Sequence, residues 1–228
     1  RVRTAQSVLK TKLNPDYHPQ KIINDNVKNI RDSIYGNNDV NGGTASHGTA
    51  VAGIITTNQK YKIGFKGIAP KVKIMPVRAI PGGDEWDKDV ALAIRYAVNN
   101  GADIINGSFG KIYSPNKQMV DSAIRYAAKN DVLVVLGAGN DHKNNDLKPN
   151  YPNKFYADSG IAPNVISVGA TNQDSLHKMV ASFSNYGKRH VDIFAPGVNI
   201  QALNTRDRTR KISGTSAAAP VVTGVAAL

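Results

Sequence analysis

Val132-Leu133-Val134-Val135-Leu136-Gly137-Ala138-Gly139-Asn140 decides the reading of the fold. An apolar run this short, rich in valine and closed by a small-residue turn, is a strand rather than a helix. No polar residue alternates through it, so both faces are buried, which is the mark of a parallel sheet. Its carboxyl end delivers Asn140 into a crevice. Upstream the chain alternates. A strand is expected over Val72 to Ile80, then a helix over about Lys88 to Asn99 with Val90, Ala93, Ile94, Ala97 and Val98 as its apolar stripe and Gly101 just past its end. The strand Asp103-Ile104-Ile105 and a helix over about Gln118 to Lys129 follow. Downstream, Val165 to Val168 and Val191 to Phe194 read as strands. This spacing predicts an α/β fold: a three-layer, doubly wound parallel sheet with helices on both faces. Ligands of such sheets bind beyond the carboxyl ends of the strands, where Ser108 and Asn140 fall.

At 228 residues, 41% hydrophobic and 20% charged, the chain is long enough for one sizeable core. No apolar run approaches the roughly 18 residues that span a bilayer. Without cysteine there are no disulfides, thiolate nucleophiles or thiolate metal sites. A net charge of +12 raises nucleic acid as a partner. Yet the basic residues are scattered, their densest cluster (Arg206-Asp207-Arg208-Thr209-Arg210-Lys211) contains an acid, and no DNA- or RNA-binding motif accompanies them. No nucleic-acid partner is expected.

Three segments carry chemistry. In Gly214-Thr215-Ser216-Ala217-Ala218-Ala219-Pro220 a hydroxyl stands on the first turn of an alanine-rich helix, where free N–H groups and the dipole favour developing negative charge. In Ser46-His47-Gly48-Thr49-Ala50-Val51-Ala52-Gly53-Ile54-Ile55 the apolar residues recur at helical spacing. Ser46 is the expected N-cap, and His47 sits at the exposed end as a candidate base. Gly48 and Gly53 suggest close backbone approach on that helix. Asn140 is a candidate donor to an oxyanion, paired with the Ser216 N–H.

Together these segments resemble the subtilisin-like serine protease family, the subtilases, whose motifs read HGT-x-VAG, A-x-GN and GTS-x-A-x-P. The order His47, Asn140, Ser216 is the family's order, and the likeness runs from about residue 39 to the end. It implies hydrolysis of peptide bonds through an acyl-enzyme, with Ser216 as nucleophile, His47 as base and Asn140 in the oxyanion hole. It also implies that an extended polypeptide substrate lies along Ser108-Phe109-Gly110, with a specificity pocket walled by that segment and by Ala138-Gly139. The small residues suggest a roomy slot for apolar or aromatic side chains. Tyr151-Pro152 belongs by resemblance to the pocket floor, and Phe109 reads equally as a core aromatic. Two positions depart from the commoner pattern: Ala50, where many subtilases carry His or Arg, and Gly107, where a bulky residue is usual.

The family's aspartate has no counterpart before His47. Asp16, Asp32 and Asp39 lie in polar, turn-rich contexts and read as Asx turns or solvated loops. The expectation is therefore a partial subtilisin-like peptidase domain over residues 1–228. Residues 1–40 would be an insertion between the Asp and His motifs, and the acid strand and the C-terminal end would lie outside. Such a chain would be nearly inactive by itself. The alternative is a subtilase-like pseudoenzyme or binding scaffold. No cofactor is required for the chemistry. Structural Ca²⁺ is a weak expectation, at Asp84, Glu85, Asp87 and Asp89, where a solvated helix start is the plainer reading. His18, His142, His177 and His190 read as surface residues. A monomer is the default, and the resemblance implies a secreted, periplasmic or cell-surface protein.

Overall fold

Residues 133–137 form the second strand of a four-stranded parallel sheet in a computed structural model of the chain. The structure describes all residues except 1–5, 7–8, 11–12, 15, 18, 27–28, 42–44, 59–63, 81–84, 173–178 and 207. The strands are β1 (Ile104–Gly107), β2 (Leu133–Gly137), β3 (Val165–Thr171) and β4 (Ile193–Pro196), side by side in chain order. The helices are α1 (Ser46–Thr56), α2 (Asp87–Asn99), α3 (Lys117–Lys129) and α4 (Thr215–Ala226).

The two-residue period of β2 divides the core. Val134 and Leu136 face α2 and α3, packing with Val90, Ile94, Val120 and Ile124. Val135 points the other way, onto Ala218 and Ala219 of α4 together with Val168 and Ala195. Both faces of the strand are sealed, as the unbroken apolar run requires. Helices therefore cover both faces of the sheet, and the three-layer α/β expectation stands. The stripe of α2 centres on Val90, Ala91, Ile94 and Ala97, with Ala93 and Val98 half-buried beside it. Gly101 ends that helix at φ +78°, donating to the Val98 carbonyl, while Ala102 donates to that of Ala97.

Three features depart from the expectations. Residues 72–80 form no strand: no described strand lies beside them, Pro76 lacks an N–H, and Ile74, Met75 and Val77 are exposed. An antiparallel hairpin, β5 (Ile200–Asn204) and β6 (Arg208–Ile212), packs instead on α1. It shares a core of Ala50, Ile54, Ala202 and Ala217 with α1 and α4. Gly53 makes the expected close approach, since a methyl there would lie 2.7 Å from Leu203 Cγ, but Gly48 has nothing within 4 Å.

The early segment docks on α2. Lys88 pairs with Asp25, donates to the carbonyls of Asn26 and Asn29 at 3.2 Å each, and lies over the Tyr35 ring. The Tyr35 hydroxyl donates to Asp89, and burial beside that carboxylate pushes its pKa far up.

Candidate active site

The first turns of α1 and α4 pack together. Ala50, one turn in from His47, and Ala217, next to Ser216, share one core cluster. His47 is exposed on the first turn of α1, but the protein crowded around it lowers its pKa, and the Arg210 guanidinium lowers it further. Arg210 reaches this turn from β6, donating to the Ser46 carbonyl at 3.2 Å. Ser46 is not the N-cap. Ala45 occupies that position, and the Ser46 hydroxyl donates to Asn204 Oδ1 at 2.9 Å, tying α1 to the hairpin.

Ser216 is the second residue of α4, where backbone N–H groups have no partner within the helix. Its Oγ donates to the Ser108 carbonyl at 3.3 Å, and Ser108 Oγ returns a bond to the Ser216 carbonyl at 3.0 Å. Asn106 Nδ2 donates to Ser108 Oγ, and Thr223 Oγ1 of α4 donates to Asn106 Oδ1. The end of β1 and the Ser216 turn are thereby locked together.

Asn140 faces the same turn. Its Oδ1 accepts from the Thr215 N–H at 2.8 Å and from Thr215 Oγ1 at 3.1 Å, which fixes the amide. Gly214, at φ +150°, keeps the space in front clear. The point a Cβ would occupy there lies 3.6 Å from each of Asn140 Nδ2, Asn140 Oδ1 and the Ser216 backbone nitrogen, and Oδ1 is already engaged by Thr215. Two N–H donors thus flank one small volume beside a hydroxyl, which is the arrangement that holds a developing oxyanion.

The turn carrying Asn140 is pinned by side chains that sequence reasoning missed. Gly139 N–H donates to Thr215 Oγ1 at 3.1 Å, and the Ala138 carbonyl accepts from Asn145 Nδ2 and Asn185 Nδ2. Asn185, fully buried, also accepts from the N–H groups of Asp141 and Lys143. An isolated asparagine in a loop looks like a turn former, so no sequence signal marked it.

Ser108, Phe109 and Gly110 lie across from Ala138 and Gly139. The Phe109 side chain packs into the α2–α3 core, which leaves only its backbone for the cleft. Gly107 is small because Leu136 Cδ2 would lie 2.7 Å from any Cβ there. The Asn150 carboxamide lies beside both segments, 2.3 Å from where a Gly110 methyl would be and 3.5 Å from where a Gly139 methyl would be.

Several surface readings need correction. His190 is half-buried, held by Asp146 at 3.0 Å and packed on Phe155. Asp87, 3% exposed, is no solvated helix start: Lys111, Ser114 Oγ and the Asn116 N–H occupy its carboxylate. Asp89 is taken by Tyr35. His142 is exposed, and His18, His177 and Asp84 lie outside the described residues. Asp32 and Asp39 accept from backbone N–H groups two residues on, as Asx turns do, and Asp16 is exposed. Among the described residues no carboxylate pairs with His47, and no three acidic or histidine side chains group as a metal site would need.

A sequence profile described as the subtilase family matches residues 6–228. The chain belongs to that family. Among curated relatives of this subtilase, a thermophilic serine proteinase of Bacillus sp. (strain AK1) is 39% identical over 184 residues, covering 80% of this chain and 42% of that protein. The major intracellular serine protease of Bacillus subtilis (strain 168) is 34% identical over 210 residues, 88% of this chain and 60% of that one. A solved cold-adapted subtilisin-like serine proteinase superposes with a TM-score of 0.64 at 33% identity, over 80% of this chain and 60% of that one. The prenylagaramide maturation protease PagA gives 0.67 at 34% identity, over 80% and 62%. The chain spans less than two thirds of each of these proteins.

Proposed function

We propose that the protein is a serine endopeptidase in which Ser216 attacks the scissile carbonyl. The reading is supported above all by the two donors, Asn140 Nδ2 and the Ser216 N–H, that flank one cleared point in front of Gly214. His47 takes the Ser216 proton as the hydroxyl turns away from the Ser108 carbonyl. The oxyanion sits between the two donors, and His47 passes the proton to the leaving amine. The tetrahedral intermediate collapses to an acyl-Ser216 ester, and water, deprotonated by His47, releases the acid. Ser108-Phe109-Gly110 would carry the peptide as an added strand against their backbone, with Ala138-Gly139 on the opposite wall.

His47 needs an orienting carboxylate, and we assign that role to a residue outside those described, because the acids near it in sequence are occupied or solvated. Without that carboxylate, turnover of peptides would fall on the order of 10⁴-fold. No metal enters the chemistry. A secreted, periplasmic or surface location is proposed on family grounds. One relative is named a cell wall-associated protease, and another an intracellular one.

A fluorophosphonate probe and a chromogenic peptide test the reading on the full-length protein. Expected are labelling of Ser216, located by mass spectrometry, and hydrolysis that disappears in Ser216→Ala and His47→Ala. Peptide binding with no labelling and no turnover would instead establish the pseudoenzyme scaffold.

A further inference from the structure

We propose that Asn185 is a positioning residue for peptide hydrolysis: it grips the backbone on both sides of Asn140 and so sets where the oxyanion donor stands. The role presupposes the peptidase reading and adds to it a residue that acts without touching substrate.

Asn140 is held at two ends. Thr215 holds the side chain through Oδ1, and Asn185 holds the backbone. The Asn185 N–H donates to the Gly139 carbonyl at 2.9 Å, and Asn185 Oδ1 accepts from the Asp141 N–H at 2.9 Å. Those two groups belong to the two planar peptide units that flank the Asn140 Cα. Fixing both planes fixes the direction in which the Asn140 side chain leaves the backbone.

The rest of the amide extends the grip. Asn185 Oδ1 also accepts from the Lys143 N–H at 3.1 Å, while Nδ2 donates to the Ala138 carbonyl at 3.1 Å and to Asn145 Oδ1 at 3.0 Å. Both amide hydrogens and two acceptor positions are thus spent on one turn, a set that a short carboxamide supplies and a hydroxyl or carboxylate does not. Gly139, at φ +108°, admits the amide, since a Cβ there would lie 2.4 Å from Asn185 Nδ2. The grip is anchored in the sheet: Ser184 Oγ accepts from the Ala170 N–H of β3 at 3.0 Å and donates to the Asn185 carbonyl at 2.9 Å. At 2% exposure Asn185 reaches the chemistry only through the turn it holds.

The test is steady-state hydrolysis of a chromogenic peptide by the full-length protein. Asn185→Ala leaves the Asp141 and Lys143 N–H groups without their acceptor. Deleting an oxyanion donor costs on the order of 10²–10³ in kcat, so freeing its backbone should lower kcat at least about tenfold, with KM within about twofold. Asn185→Ser, whose hydroxyl is too short to span the turn, should show the same split and decides the matter if the alanine variant fails to fold. The readout that a merely structural role would not move is the same substitution made in Asn140→Ala, where it should lower kcat further by less than about twofold. An equal loss in both backgrounds, or kcat within twofold of wild type in a folded variant, would overturn the assignment of Asn185 alone. Absence of Ser216-dependent hydrolysis in the wild type would overturn the peptidase reading, and this role with it.

Discussion

On the proposed mechanism, Thr215→Val separates Ser216 from the contacts that position Asn140. Thr215 is 2% exposed, and its Oγ1 accepts from the Gly139 N–H at 3.1 Å while donating to Asn140 Oδ1 at 3.1 Å. Valine keeps the shape and removes both bonds. Asn140 Oδ1 keeps the Thr215 N–H, so it is not orphaned; the Gly139 N–H is. An unmade buried donor costs about 1–3 kcal/mol, which is the expected loss of stability. Asn140 loses one of two anchors and gains freedom to swing about the other. Deleting such a donor outright costs on the order of 10²–10³ in kcat, so loosening it should cost at least about tenfold. The loss should appear in kcat with KM unchanged, because the donor acts on charge that exists only in the transition state. The assay is steady-state hydrolysis by the full-length protein, with denaturant unfolding alongside. Thr215→Ser, which keeps the oxygen, should recover most of both. A valine variant that is destabilised but retains kcat within twofold would refute the link between Thr215 and Asn140.

Two further perturbations test the electrostatics. Arg210→Gln should raise the His47 midpoint followed by NMR, because the guanidinium adds to the crowding that holds the ring below the ordinary 6.5. A lowered histidine favours the neutral folded form, so its contribution to stability is intact above about 6.5 and is lost as pH falls towards the lowered value; the variant should lose less on acidification. An unmoved midpoint would remove Arg210 from the account. Lys88→Met strands the Asp25 carboxylate, whose side chain is 3% exposed, at a cost of about 3–5 kcal/mol. Hydrogen exchange should speed up over residues 19–36, and the double change with Asp25→Leu should restore most of the protection.

Where sequence made the elements legible, one period dominated one face. The run ending at Asn140 has no polar residue to hide its burial, and α3 sets Val120, Ala123, Ile124 and Ala127 on one stripe. The β5–β6 hairpin escaped because Arg208-Thr209-Arg210-Lys211 faces solvent almost throughout, so its strand character lies in pairing with β5 rather than in any apolar alternation. Residues 72–80 failed in the opposite way: their apolar pattern suits a strand, but a strand exists only beside another. Of the site, His47, Asn140 and Ser216 stood out because each closes or opens an element. Asn185, Asn145 and Asn150 did not, since their roles depend on which backbone atoms the fold brings to them. Asp87 and His190 read as surface residues because the Lys111 and Asp146 that face them are remote in sequence.

The spacing between Ser216 and Pro220 has its own physical reason. In an α-helix the N–H of residue 220 would bond the carbonyl of residue 216. Proline has no N–H, so the Ser216 carbonyl is free, and Ser108 Oγ takes it at 3.0 Å. That hydroxyl is itself oriented by Asn106, whose Oδ1 accepts from Thr223 a further turn along the same helix. The helix therefore grips the end of β1 at two points, one of them a carbonyl that has no competing donor within the helix. An alanine at 220 would bring a second donor to that carbonyl and weaken its bond to Ser108, which would keep Asn106. The proline four residues after Ser216 thus helps to attach the Ser108 end of β1 to the first turn of α4.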